Sequence, residues 1–551
     1  MVRAWGLLFG MCVVGQAGVG AQTQESPSAA GAPVKAVGAP GRTCAVNSDA
    51  PNAAETALNR KEYSSAETLF RAMLAKDAKD GAAHEGLVRA LIEQDKVDAA
   101  AKDAEAWVAA APGSSMALLA LGDVRLRQGD PRGAMLQFQK TEQADLCNAR
   151  AYYGAAEVDG LAGFHARGKR AIEQAYSLHP SDDDIHTWWI DTRQRKERLA
   201  MWAAYVEQSD QIDDEDRTKL KTRLEKDALY HVSDCRAAAT SPRAATVPMV
   251  AVTDGPYRFL SWGLDVKFNG QRRRLEIDTG ASGITISRAA ALGLGIKRDD
   301  ATLTMGIGDK GKVKTSIAHI ASIKIGGIEF TNCPVEILEK WSVLDSDGLI
   351  GGDVFNDYLL TLDFPKHELR VNPLAERPGE KKAAPTSLDT AGDDEVVEAH
   401  DPYIAPEMAK WGRIYRSGHE LLMPTAIVDA KQVQDDSAWK PKLFMLDTGS
   451  ESNLISPAAA KEVTKVSRDW DNGVRGISGD VDKVFNAGKF SLGFAGLLLD
   501  SPSMTAIDMT SISHDAGVEV SGLIGAPALF QVVLHIDYRD NLVWCEYTAK
   551  K

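Results

Sequence analysis

Fourteen residues starting at Asp278, DTGASGITISRAAA, recur 169 positions later from Asp447 as DTGSESNLISPAAA, without a gap and with eight identical positions. A single Asp-Thr-Gly tripeptide is a common turn, but a duplicated one in a matched frame demands two folding units with the same local layout. The flanks carry the same signal. Each Asp ends an apolar run, Leu275-Glu276-Ile277 and Leu443-Phe444-Met445-Leu446, and precedes a second short one that stops at Ser287 or Ser456 before an Ala-rich stretch. The expected layout is strand, tight loop, strand, then a helix capped by that Ser. Gly280 and Gly449 let the loop turn sharply and aim N–H groups at the carboxyl, while the Thr279 and Thr448 hydroxyls can brace one loop against the other.

A second matched pair follows, Gly348-Leu349-Ile350-Gly351 and Gly522-Leu523-Ile524-Gly525, and an Asp-aromatic pair comes twelve residues after each, Asp363-Phe364 and Asp537-Tyr538. These later aspartates read as strand-end or turn residues. Short β-rich runs surround both copies, which predicts lobes over 256–372 and 401–548. Polar linkers are expected at 231–255 and 373–400.

The region before the lobes has another period. The turns at Lys61, Asp95, Gly129 and Gly163 are 34 residues apart. Small residues follow each turn at a fixed offset (Ala66, Ala100, Ala134, Gly168), larger ones come four later (Phe70, Phe138, Ile172), and Gly86, Ala120 and Gly154 hold a further small position. Small residues let helices approach while the larger one fills the gap. These segments resemble tetratricopeptide repeats over 51–185, with a charged helical stretch capping the stack to about 230. The resemblance implies a curved solenoid whose concave face takes extended chains or a partner protein. A spacer or dimerisation element is the competing reading.

With 551 residues, several cores are expected. Lys plus Arg number 63 against 77 Asp plus Glu, a net charge of −14 that would repel phosphate backbones, so nucleic acid is not an expected partner. Arg3, an apolar run from Ala4 to Val14 and small residues ending at Ala21 fit a cleaved export signal over 1–21, which predicts a periplasmic or secreted protein. The run is too short to span a bilayer, and no stable membrane span is expected. Residues 22–50 read as a flexible leader. Beyond the signal, Cys44, Cys147, Cys235, Cys333 and Cys545 are widely spaced, so at most one or two bridges are expected, with no pairing preferred.

The two lobes together resemble retropepsin-type aspartic proteases, with both halves in one chain as in pepsin-like enzymes. The resemblance implies an N-terminal all-α tetratricopeptide-like solenoid followed by an all-β bilobal acid-protease (double-ψ) fold. It also implies an endopeptidase acting on polypeptide substrates through Asp278 and Asp447, supported by Thr279, Gly280, Thr448, Gly449 and Ser450. No metal or cofactor is called for. Flap candidates are Gly306, Ile307 and Gly308 in the first lobe and Gly476, Ile477 and Gly479 in the second. The stretch 306–311 also fits GxGxxG, but that fingerprint needs a following helix, and a β-like run follows. Neither flap has the Tyr of pepsin-like enzymes, which keeps open the alternative of a weak or inactive peptide-binding scaffold. Ser450, where the first lobe has Ala281, is expected to donate to Asp447 and make it the more easily ionised partner. His84-Glu85, His367-Glu368 and His419-Glu420 lack the second His of a zinc motif and read as surface pairs. No nucleophile elbow or P-loop occurs.

Overall fold

The computed structural model describes residues 2–4 and 44–547, apart from residue 48, most of 210–235, and segments 255–257, 298–299, 305–306, 309–312, 340–345, 380–398 and 471–472. Most of the expected export signal and leader, and Cys235, lie outside the described residues.

Among the described residues, ten helices in antiparallel succession form the N-terminal region: α1 (Ala53–Asn59), α2 (Tyr63–Lys76), α3 (Gly81–Ile92), α4 (Val97–Ala110), α5 (Ser115–Arg127), α6 (Pro131–Ala144), α7 (Ala149–Leu161), α8 (His165–Leu178), α9 (Asp183–Asp191) and α10 (Arg195–Gln208). The 34-residue period is a backbone property. Lys61, Asp95, Gly129 and Gly163 all have positive φ, the left-handed turn that ends the first helix of each pair. The small positions are filled by a neighbour's ring: a methyl group on Gly86 would fall 2.3 Å from Phe70, and one on Gly154 would fall 2.4 Å from Phe138. Side-chain caps from Asn52, Asp80, Ser114, Asp130, Asn148 and Asp182 start six of these helices. A disulfide joins Cys44 to Cys147, so the end of the expected leader is tied to the repeats. Cys333 is also disulfide-bonded, whereas Cys545 is free and buried.

The C-terminal half is mostly β. In the first lobe the strands run 328–338, 284–287, 348–351, 271–278, 258–268, 313–325 and 300–304 across one sheet; in the second, 504–506, 454–455, 522–524, 440–446, 420–429 and 490–494 hold the corresponding order. A six-stranded sheet joins the lobes through the antiparallel pairing of Tyr358–Asp363 with Val532–Asp537. The expected linker at 231–255 is partly built into the sheets. Ala245–Pro248 is the edge strand beside Glu368–Pro373, and Val250–Asp254 pairs with the Arg258–Phe268 strand. The polar character belongs to residues before 245; the stretch 245–254, ATVPMVAVTD, is largely apolar and β-branched, as strands are. Asp363 and Asp537 end their strands and accept backbone N–H groups of the following turns, at Lys366 and at Arg539 and Asp540. Val2–Ala4 pairs with Leu497–Leu499. Among the described residues no helix is long and apolar enough to cross a membrane.

The repeats pack on the second lobe. Leu119, Leu126 and Phe138 share one apolar cluster with Leu443, Met445 and Leu523 of that lobe. Arg127 donates from Nη1 to Ser513 O and pairs through Nη2 with Asp95, and its own carbonyl accepts from Glu519 N. Phe138 is fully buried at this seam. Phe138→Ala is expected to lower unfolding free energy by about 3–5 kcal/mol in urea titrations of the full chain, the usual result of emptying a packed ring site.

Candidate active site

The Gln271–Asp278 and Lys440–Leu446 strands each pair in parallel with the Gly-Leu-Ile strand of their own lobe, which also pairs with the strand following the loop. Asp278 stands opposite Gly351, and Asp447 N donates to Ile524 O at 3.0 Å. Each Asp-Thr-Gly loop is thereby wedged between two strands. The Ser287 and Ser456 side chains accept from Ala290 N and Ala459 N, capping the helices beyond.

Across the lobes the loops hold one another. Thr279 N donates to Thr448 Oγ1 (3.0 Å) and Thr448 N to Thr279 Oγ1 (3.1 Å). The hydroxyls donate in turn to the opposite strand, Thr279 Oγ1 to Leu446 O (2.9 Å) and Thr448 Oγ1 to Ile277 O (2.8 Å). Both threonines are buried. Gly280 N donates to Asp278 Oδ1, and Gly449 N and Ser450 N donate to Asp447 Oδ1, at 2.9–3.0 Å. The glycines also make room. A Cβ on Gly449 would fall 2.5 Å from Asp278 Cγ, and one on Gly280 would fall 2.9 Å from Asp447 Cγ.

The two carboxyls hydrogen-bond each other. Burial raises Asp278 above its ordinary value, against the N–H groups of its loop. Asp447 is pushed well above, first by burial and then by the adjacent charge of Asp278. Both members of the pair are thus displaced upward together, and nothing makes Asp447 the more easily ionised partner as expected. The Ser450 hydroxyl donates to Ser452 O at 2.8 Å and is turned away from the carboxyl, so only its backbone N–H reaches Asp447.

Of the flap candidates, Gly306 lies outside the described residues. Ile307 and Gly308 meet the hairpin of Arg475–Gly476 and Gly479–Asp480, with Ser478 N donating to Ile307 O at 2.9 Å. Gly308 has φ +130°, and a methyl group there would fall 2.4 Å from Ser478 C, while one on Gly476 would fall 2.3 Å from Ile307 O. The two loops thus touch backbone to backbone across the lobes. A strand, Val313–Ile325, follows the first loop, so no helix N-terminus is present to receive a dinucleotide phosphate there.

Several supports were not legible in the sequence. Asp353 accepts from Gly283 N and Ser282 Oγ, bracing the first loop, and Asn453 accepts from Gly525 N in the second. Glu276 is 1 % exposed, and burial pushes it up to about 8 against the Ser261 hydroxyl beside it. Of the expected surface pairs, His367-Glu368 is at the surface, whereas Glu85 is buried and Glu420 is half-buried, with burial pushing it up to about 7. These two acids looked external only because charged residues usually are.

Residues 264–354, which include Asp278 and the first Gly-Leu-Ile-Gly strand, match the family model described as aspartyl protease. No curated protein matches the chain. Among solved structures, a thermophilic TPR protein of Thermus thermophilus is similar at 21% identity and TM-score 0.25, over 32% of this chain and 98% of its own. An aspartic proteinase from Irpex lacteus is similar at 12% identity and TM-score 0.33, over 56% of this chain and 98% of its own.

Thr448→Val removes a hydroxyl that both accepts and donates across the lobes and should lower stability by roughly 2–5 kcal/mol, since two buried groups lose partners. Thr448→Ser should retain most of it; urea midpoints of the two variants check this. Asp447→Asn should raise the melting temperature at neutral pH. The raised carboxyl is an ionisation penalty that grows as pH climbs from the ordinary value of 3.8 toward the folded one, so the gain should vanish below 3.8. On the residues from the strand before Asp278 through the Gly-Leu-Ile-Gly strand, the first lobe of this chain is similar to aspartyl proteases.

Proposed function

We propose that the chain is an aspartic endopeptidase in which Asp278 and Asp447 share one proton and activate a water against a peptide bond. The observation that carries this reading is the mutually hydrogen-bonded carboxyl pair, braced by reciprocal Thr–backbone bonds. The aspartyl-protease match over 264–354 supports hydrolysis of polypeptides as the reaction class.

Two carboxyls in hydrogen-bond contact do not both ionise readily; at an effective dielectric near 20, charges ~3 Å apart repel by roughly 5 kcal/mol. The ionised member of the pair takes a proton from water as the water oxygen attacks the carbonyl carbon. The protonated member donates to the carbonyl oxygen, giving a gem-diol. As the gem-diol collapses and the C–N bond breaks, the protonated carboxyl gives its proton to the departing amine and the other takes one from a gem-diol hydroxyl, so the dyad is left with one proton. The loop N–H groups on each Oδ1 hold the carboxyls in place. In this reading the contact between Ile307-Gly308 and Gly476–Gly479 is a pair of flaps that must part for substrate and can then close over it.

The repeats recruit a substrate or partner to the second lobe, against which they are packed. A periplasmic or secreted location is proposed with the activity. The Cys44–Cys147 bridge supports it, since such bonds persist in oxidising compartments.

The test is cleavage of a reduced, alkylated protein followed by mass spectrometry. Asp278→Asn and Asp447→Asn should each lower kcat/KM by at least ~10²-fold, the scale of lost acid–base catalysis, with the fold retained. Cleavage that survives both substitutions would sink the assignment. The one-proton state exists between the two apparent pKa values of the pair, both displaced upward. The acid limb of the kcat/KM profile should therefore lie above pH 3.8, and an optimum below that value would contradict the reading.

A further inference from the structure

The first helix of each repeat pair, α10, and His514 and Gly517 of the second lobe together wall an open cavity of about 700 Å³. Its size suits a small organic ligand or one or two side chains. Arg89, Asp123 and Glu157 line it from equivalent positions of α3, α5 and α7, 34 residues apart, so the repeat itself places them in one row.

The charges in this row do not balance. Arg89 pairs with Asp184 at 2.6 Å, and Arg150 pairs with Asp184 at 2.9 Å and Asp182 at 3.0 Å. The buried Glu85 lies 3.7 Å from Arg89 Nε and 4.0 Å from Arg150 Nε. Three carboxyls, Glu85, Asp182 and Asp184, thus already face two guanidiniums, and Asp123 and Glu157 come in addition. Asp123 Oδ2 is buried and accepts no hydrogen bond from any described residue. Burial raises Asp123 to about 7 and Glu157 to about 8; neighbouring acids add to the rise, and the Arg150 and Arg89 charges offset it only in part. Among the described residues the other cations lining the cavity are engaged: Arg127 with Asp95 and Ser513 O, while Arg60 and Lys61 have interactions of their own. An unpartnered buried carboxylate oxygen is costly unless something supplies a donor.

We propose that this cavity binds an organic cation, an alkylammonium or guanidinium head seated between Asp123 and Glu157 and flanked by the Tyr153, Trp202 and Tyr205 rings. Aromatic walls favour such a head over a fully hydrated ion. Among the described residues no group of three His, Cys, Asp or Glu has the geometry to hold a metal. The inference deepens the recruitment reading of the repeats by naming the chemistry of what they take, and it does not depend on proteolysis.

Two sources carry this head, a free polyamine and a Lys or Arg side chain of a polypeptide, and titration calorimetry separates them. The full chain carrying Asp278→Asn, which prevents cleavage, is titrated with spermidine, with a blocked Lys-containing peptide, and with glutarate and 1,5-pentanediol as anionic and neutral controls. Binding of spermidine or the peptide is expected, at least ~10-fold weaker in Asp123→Asn/Glu157→Gln, with neither control binding. These substitutions preserve shape and remove a buried-charge penalty, so the melting temperature should be unchanged or higher. Absence of binding by both cations, equal binding of a control, or equal affinity in the double variant would overturn the proposal. If neither cation binds but the double variant, made in the chain with Asp278 intact, cleaves a folded protein more slowly, the cation site falls while recruitment stands.

Discussion

Four hydrogen bonds between Thr279, Thr448 and the backbones of the opposite strands fix the geometry on which the β half depends. Each threonine leaves its polar groups satisfied only by the other lobe, and buried polar groups without partners are not tolerated. The two loops are therefore complete only as a pair. Because each glycine faces the opposite carboxyl with no space for a methyl group, the contact also sets how closely two acids approach. Burial and proximity then keep a proton between them, which is the chemical basis of the proposed reaction.

The second lobe is buried on both faces. Along the Lys440–Leu446 strand, Phe444 and Leu446 enter the core of the β half, while Leu443 and Met445 enter the cluster shared with the repeats. The equivalent of Met445 in the first lobe is Glu276. One copy of the duplicated unit has thus taken an apolar residue where helices cover it, and the other has kept an acid next to the site. The repeats are in this sense the back wall of the strand that leads into Asp447. Arg127 stitches the same seam from the helical side and also contributes to the cavity lining.

The parts legible in the sequence were those repeated at a fixed spacing. Residues 61, 95, 129 and 163 announced the helical pairs because each needs the same left-handed turn. The matched loops announced the carboxyl pair, and Ser287 and Ser456 announced two helix starts, because capping is decided within three residues. Features set by a single long-range contact gave no such signal. The Cys44–Cys147 bridge, the strands within 245–254, the brace from Asp353 to the first loop, the buried acids Glu85 and Glu276 and the half-buried Asp123 and Glu157 all fall in this group. Ser450 shows the distinction most clearly: its position beside Asp447 was readable, but its hydroxyl had a nearer acceptor in Ser452 O.

The sequence by itself determined the solenoid period, the duplication of the lobes and the identity of the two paired acids, since each is written in local spacing and residue type. Only the tertiary structure decided that the Ser450 hydroxyl turns away from Asp447, which charged side chains are buried, and that the repeats wall a charged cavity against the second lobe. Those outcomes depend on desolvation and on partners hundreds of residues away, and neither is encoded in the neighbours of a residue along the chain.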